Sequence, residues 1–490
     1  MPKPTPPEDL KIDLAAPPAW TFAPGDTIIG TVVRQSHLVT PRASLELRLQ
    51  AITQTKIEQY HGTNRPTAFG EGFDGPFDKS QFRAYWNLLP PWKAEVLFRG
   101  PVHIAKQGEA AGAGGEEGGS QSGGSSTSKD CWAVPFVVSI PLMPEESSIK
   151  RRAESESYLP LDDASIATQV LPGSFACKTP NDGSRKITTA SITYQLEATL
   201  RYTHGGAASV SRASTSFVLR HTRHPCAEPP LPDYATVFHR LSPPVTVLSQ
   251  RLAPGMHDAQ LSFRQRTQKF FGSSRVPQLT YQIDFGMPRS VSLDFGDRGG
   301  GVGGILPFTM AVVPDPDQTN AALHGVQQFF LIHSITLSVD AITDVRTTAG
   351  PRDSFARTGR HVQRHQVVLL DSQKSKPIVL ITGEGDSESS EKGEKSEKSE
   401  KSDTNSNTID IGTMFNLHLR HDGLHKSDTS SKGTAPPRLR STLPFFPVYP
   451  DFVSYLMKHT HVLSCEAGVS VAGESDVVKT FAPLRVLGEV

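Results

Sequence analysis

Five arginines, Arg346, Arg352, Arg357, Arg360 and Arg364, crowd one short stretch, with His361 and His365 beside them. Guanidinium forks match phosphate oxygens bidentately, so Arg352, Arg357, Arg360 and Arg364 form a candidate site for a phosphorylated peptide or an inositol-lipid head. A solvated basic loop is the plainer alternative, and the acidic stretch from Glu384 to Glu388 offers it counter-charge within the chain. A second group, His459, His461 and Cys465, alternates along one segment, and alternate residues of a strand point to one side, as zinc ligation requires. Two histidines on one strand do not complete such a site, and no fourth partner is evident from spacing, so ordinary strand packing is the reading and no metal is expected. His221, His224 and Cys226 lie in a proline-rich stretch and point no more strongly to a metal. The run from Gly299 to Gly304 lacks the GK[ST] ending of a phosphate cradle and reads as a hairpin loop. There is no G-x-S-x-G elbow and no H-E-x-x-H. Neither an enzyme nor a cofactor is expected.

The elements that would carry these residues are short strands. Pro24 and Gly25 set a turn before the β-branched run Thr27 to Val33. In Ser44 to Gln50, Leu45, Leu47 and Leu49 alternate with polar residues and share one buried face. Pro135-Phe136-Val137-Val138-Ser139-Ile140-Pro141 is an apolar run closed by proline. Leu171-Pro172-Gly173-Ser174-Phe175 punctuates the chain, and from Ile192 to Leu200 the residues Ile192, Tyr194, Leu196, Ala198 and Leu200 alternate with polar ones. The second half repeats the pattern over Gln260–Arg264, Gln278–Phe285, Leu306–Val313, Phe329–Val345, Asp451–Cys465 and Phe481–Leu487.

Taken in order, the PGD turn, the F-x-x-x-I-P strand, the LP-x-SF element and the I-x-Y-x-L-x-A strand resemble the amino-terminal domain of arrestins. Ile335 to Arg346 and Asp451 to Leu463 resemble, more loosely, the carboxy-terminal arrestin domain. The resemblance implies an all-β fold of two tandem immunoglobulin-like β-sandwich domains, and the loop-rich layout is similar to fungal-type α-arrestins.

At 490 residues the chain exceeds what one core usually supports, and 40 glycines and 39 prolines suit many short strands joined by turns. We expect a first sandwich over residues 10–225 with a disordered insertion at 107–130, and a proline-rich linker over 226–244. A second sandwich over 245–490 follows, with a disordered insertion at 383–408. The first insertion is almost wholly Gly, Ser, Ala and Glu, and the second is a Glu, Lys and Ser repeat without an apolar stripe. Fifty Lys and Arg balance fifty Asp and Glu, so no global field draws the chain to nucleic acid or anionic membrane. Four scattered cysteines suit reduced thiols, and no apolar stretch is long enough for a signal core or a membrane span. The expected location is therefore cytoplasmic, with peripheral association at the plasma membrane or endosomes at most.

The arrestin resemblance implies a non-enzymatic adaptor that binds cytosolic tails of membrane transporters or receptors. In the α-arrestins it implies a link to HECT-type ubiquitin ligases, whose WW domains bind PPxY motifs, and hence to endocytosis and protein transport. No Pro-Pro pair here is followed by tyrosine two positions on. The nearest substitute is Leu231-Pro232-Asp233-Tyr234 after Pro229-Pro230, where a preformed polyproline II segment offers Leu231, Pro232 and Tyr234 to a WW groove. A plain interdomain linker is the alternative there, and Phe446-Pro447-Val448-Tyr449 is a poorer candidate beside a strand. A structural sorting subunit of retromer-like type, without ligase recruitment, is the rival function.

Overall fold

A computed structural model of the chain describes residues 10–18, 20–61, 78–90, 93–104, 131–149, 153–179, 186–204, 206–222, 237–256, 260, 262–263, 276–293, 305–347, 357–371, 373, 376–382, 408–420, 423–426 and 447–488. Over these the protein is all-β, with helix confined to single turns.

The first half contains β1 (Leu10–Leu14), β2 (Thr21–Phe22), β3 (Thr27–Arg34), β4 (Leu38–His61), β5 (Asp78–Asn87), β6 (Glu95–Ile104), β7 (Trp132–Ser139), β8 (Phe175–Lys178), β9 (Lys186–His204) and β10 (Ala207–Leu219). Strands β1-β3-β7 make one sheet, and β2-β10-β9-β4-β5 make the other, with β6 on β4 and β8 on β9. The sheets close on each other because their inner faces alternate as the sequence does. Leu45 and Leu47 of β4 and Ile192, Tyr194, Leu196, Ala198 and Leu200 of β9 are all buried, opposite Ile28 and Val32 of β3. The turn into β3 works as its residues require. Gly25 takes φ 89°, and the Asp26 carboxylate accepts the Ala23 amide at 2.7 Å.

The second half contains β11 (Val237–Leu241), β12 (Val245–Leu248), β13 (Gln278–Pro288), β14 (Ser290–Ser292), β15 (Thr309–Pro314), β16 (Gln328–Arg346), β17 (Thr358–Leu370), β18 (Ile378–Thr382), β19 (Thr408–Asp410), β20 (Leu417–Arg420), β21 (Gly423–Lys426), β22 (Phe452–Val453), β23 (Met457–Val471) and β24 (Glu474–Leu487). One sheet runs β11-β13-β15-β19 with β12 on β13. Its mate runs β14-β24-β23-β16-β17, with β18 on β16 and β22 on β23. The two halves share a device: a short strand pairs in parallel with the last strand of its sandwich, β2 with β10 and β14 with β24.

Each half has its own hydrophobic core, one built around Leu196, Leu45 and Trp86, the other around Leu337, Phe285 and Leu463. The separation is broken at one place. Val345, Tyr455, Leu456 and Met457, from the second half of the chain, are buried in the core of the first.

Several sequence expectations shift in detail. Gln260, Ser262 and Phe263 are not in a strand, and Phe263 is 83% exposed. Leu306 and Phe308 are buried but precede β15, because the Leu306 amide is held by the Leu417 carbonyl rather than by a ladder. Thr408, expected to end an insertion, opens β19 opposite Ala311. The expected insertions at 107–130 and 383–407 lie outside the described residues, as does the glycine-rich run from Gly299 to Gly304.

Candidate functional site

The junction between the two sandwiches gathers the chemistry-bearing side chains of this chain. It is built on β16, whose outer turn of residues reaches beyond its own core. Register alone places three strands' worth of side chains in one transverse row: Thr343 of β16 stands opposite His361 of β17 on one side and His459 of β23 on the other. Phe452 of β22 extends the row beyond His459. One step along the same face come Ala341, Gln363 and His461. His361, Thr343, His459 and His461 are each at most 4% exposed.

The first sandwich meets this row with β8. The Phe175 ring lies 5.0 Å from the His459 ring, 5.0 Å from Phe452 and 4.7 Å from Tyr449. His221, just past β10, stacks on Phe452 at 4.8 Å, so that Phe452 is held between His221 and His459. The Gly173 amide donates to His221 Nδ1 at 3.2 Å. Glycine is required at 173, since a Cβ there would lie 2.5 Å from the imidazole. Thus the LP-x-SF element contributes both the close turn under His221 and the ring against His459.

Hydrogen bonds meet only part of what these histidines offer. Thr343 Oγ1 and His459 Nδ1 share one at 2.9 Å, and His461 Nδ1 lies 2.5 Å from the Asp451 carboxylate, which also accepts the Val486 amide at 3.3 Å. Among the described residues, Nε2 of His221, His459 and His461 and both ring nitrogens of His361 have no partner. Burial therefore penalises the charged form. It lowers His221 to about 4, holds His459 well below the ordinary imidazole value, helped by neighbouring His461, and lowers His361. The Cys177 thiol on the facing strand is pushed up to about 12 by the same desolvation. This is a junction of neutral imidazoles and aromatic rings, in which proton uptake is the available chemistry.

A second contact flanks it. Tyr455 packs on Trp86 with ring centroids 4.6 Å apart, and its carbonyl accepts the Tyr158 amide at 2.8 Å. The Arg346 guanidinium lies over the Tyr158 ring at 4.2 Å and donates to the Ser157 carbonyl. Thr55 of β4 donates to the Arg346 carbonyl at 2.6 Å, and Lys186 of β9 donates to the Thr358 carbonyl at 2.6 Å. Beside the junction a cleft of about 220 Å³ is lined by Pro172, Gly173, His221, Asp451, Phe452 and Arg485, among others.

The arginines singled out from the sequence fall on both sides of this picture. Arg357 lies over the Phe82 ring of the first sandwich at 4.1 Å. Arg360 and Arg364, on the outer face of β17, make two-pronged pairs with Asp344 and Asp340, each closest at 2.7 Å. An external phosphate would have to compete with those carboxylates. Arg352 lies outside the described residues, as do Leu231, Pro232 and Tyr234, and His224 and Cys226. Cys465 is buried in the second core, away from the histidine row, and among the described residues no three His, Cys, Asp or Glu side chains are placed to hold a metal ion. Among these residues no helix is long and apolar enough to cross a membrane. Sequence reasoning placed His459 and His461 on one face and named His361 with the arginines, but it did not join His361, Thr343, Asp451 or Tyr455 to them. The signal for them is long-range strand register, which no local spacing carries.

No family model matches this chain, and no curated protein matches it.

Proposed function

We propose that this protein is a non-enzymatic adaptor of arrestin-like build, which binds cytosolic parts of membrane proteins and links them to ubiquitin-ligase-dependent endocytosis or sorting. One observation carries the reading. The four landmarks of the resemblance work together in this chain: the Gly25 turn feeds β3, β3 pairs Gly30 with Phe136 of β7, and Tyr194 of β9 donates to the Pro172 carbonyl at 2.5 Å. Phe175 of the same LP-x-SF element then meets the second sandwich. Tandem sandwiches offer edge strands, end loops and the groove between bodies, and these are surfaces for peptide capture. In this reading the protein works in the cytoplasm, at the plasma membrane or endosomes, and Leu231, Pro232 and Tyr234 engage WW domains.

The test is proximity labelling in cells combined with a WW-domain pulldown. Transporters or receptors together with ubiquitin ligases should be labelled, and the triple substitution Leu231→Ala, Pro232→Ala, Tyr234→Ala should abolish ligase capture. Labelling confined to stoichiometric coat subunits would replace the adaptor reading with a structural one. Unchanged pulldown would remove the motif.

A further inference from the structure

Three imidazoles stand where two separately cored bodies touch: His221 comes from the first sandwich, and His361 and His459 come from one row of the second. Among the described residues none of the three has a carboxylate within ion-pair distance. The charged and titratable groups that face them are few. Asp451 is engaged by His461, Arg485 borders the cleft, Cys177 and Tyr194 look in from the first sandwich, Tyr449 packs above, and His365 follows on β17. Asp340, Asp344, Arg360 and Arg364 pair with one another on the opposite face of the sheet. Nothing inside the junction therefore compensates positive charge on His221, His361 or His459. On either side the junction is backed by the apolar clusters around Leu196 and Leu337, and the buried Glu58 carboxylate of the first sandwich is paired with Lys56.

We infer that the waist is an acid-sensitive hinge: proton uptake by His221, His361 and His459 separates the two sandwiches while each remains folded. The inference stands on the junction's geometry and does not depend on the adaptor reading.

The sign follows from linkage. Exposed to water after opening, each imidazole returns to its ordinary value near 6.5, whereas in the closed junction His221 is at about 4 and the other two are lowered. The open form thus binds more protons between those limits. The closed form is at full strength above about pH 6.5, and as pH falls each group weakens it by up to about tenfold per pH unit, levelling off below the closed-state values. Three groups acting together give up to about a thousandfold per unit at the steepest point.

The experiment uses the full chain between pH 7.5 and 4.5, read by small-angle scattering, by tryptophan emission, to which Trp86 beside Tyr455 contributes, and by far-ultraviolet circular dichroism. We expect the radius of gyration to rise between pH 6.5 and 4.5, with a slope of more than one proton, while the dichroism stays constant. His459→Asn and His361→Leu should each lower that slope by about one proton, and His239→Gln, an exposed site paired with Asp284, should leave it unchanged. Should these variants fail to fold, hydrogen exchange on the natural chain decides. After correction for intrinsic rates, the amide of Tyr158, which donates across the waist to the Tyr455 carbonyl, should lose protection at pH 5 while those of Leu196 and Leu337 keep theirs. A constant radius down to the pH at which dichroism is lost, equal loss of protection in junction and cores, or unaltered slopes in folded variants would overturn the inference.

Discussion

The two faces of β17 treat basic side chains in opposite ways. Arg360 and Arg364 point outward, more than 60% exposed as side chains, and each is met by a carboxylate from β16. His361, one residue along, points inward, is 3% exposed and meets no partner for either ring nitrogen. A strand's period of two puts them on different sides, and the difference in solvent decides their charge. Outside, water and a facing aspartate keep the guanidinium ionised at little cost. Inside, neutrality is the only state the surroundings support. The same strand therefore carries a charge lattice on its outer surface and an uncharged packing surface toward the first sandwich.

Substitutions can break this contrast, and their costs should fall in order from the inner face to the outer. Tyr455→Ala removes the ring that the second half inserts against Trp86. It should cost about 3–5 kcal/mol, as large-to-small changes of buried aromatics do, and thermal melts should show the loss in the first sandwich although the mutated residue belongs to the second half. His361→Arg would carry the outer face's chemistry inward. With no carboxylate within reach at that position, it should cost about 3 kcal/mol or more, measured by urea unfolding at pH 7.5. Ser338→Ala breaks the 2.7 Å hydrogen bond to Ser464 that ties β16 to β23, and about 1 kcal/mol should be lost in the second transition alone. Asp340→Asn unpairs Arg364 in water, and an effect below about 1 kcal/mol, shrinking further in high salt, is expected from melts at two ionic strengths. If Asp340→Asn proved costlier than His361→Arg, the account of the two faces would fail.

The contrast also marks how far local spacing carried. Alternation in Ile192 to Leu200 and in Ile335 to Ala341 identified buried faces residue by residue, because a half-buried strand records its environment at every second position. Phe263 failed the same reading: a short apolar and polar alternation names a strand only when another strand is there to pair with it. The arginine cluster was read as one patch because its members are close in sequence. In the folded chain Arg357 turns to Phe82 of the other sandwich, while Arg360 and Arg364 find aspartates on the neighbouring strand. His459 and His461 share a face as their spacing implies, but the groups that meet His459, Thr343 and the Phe175 ring, lie far away in the chain.

By itself, then, the sequence determined the β class, the inward and outward sense of its strands and the turn at Gly25, since each depends on the covalent geometry of neighbouring residues. Tertiary structure alone decided that β16 stands between β17 and β23, that Tyr455 enters the other half's core, and that imidazoles from both halves meet around Phe452. Those outcomes are set by register and by the docking of two cores, which are sums over contacts between distant residues, and a local pattern does not contain them.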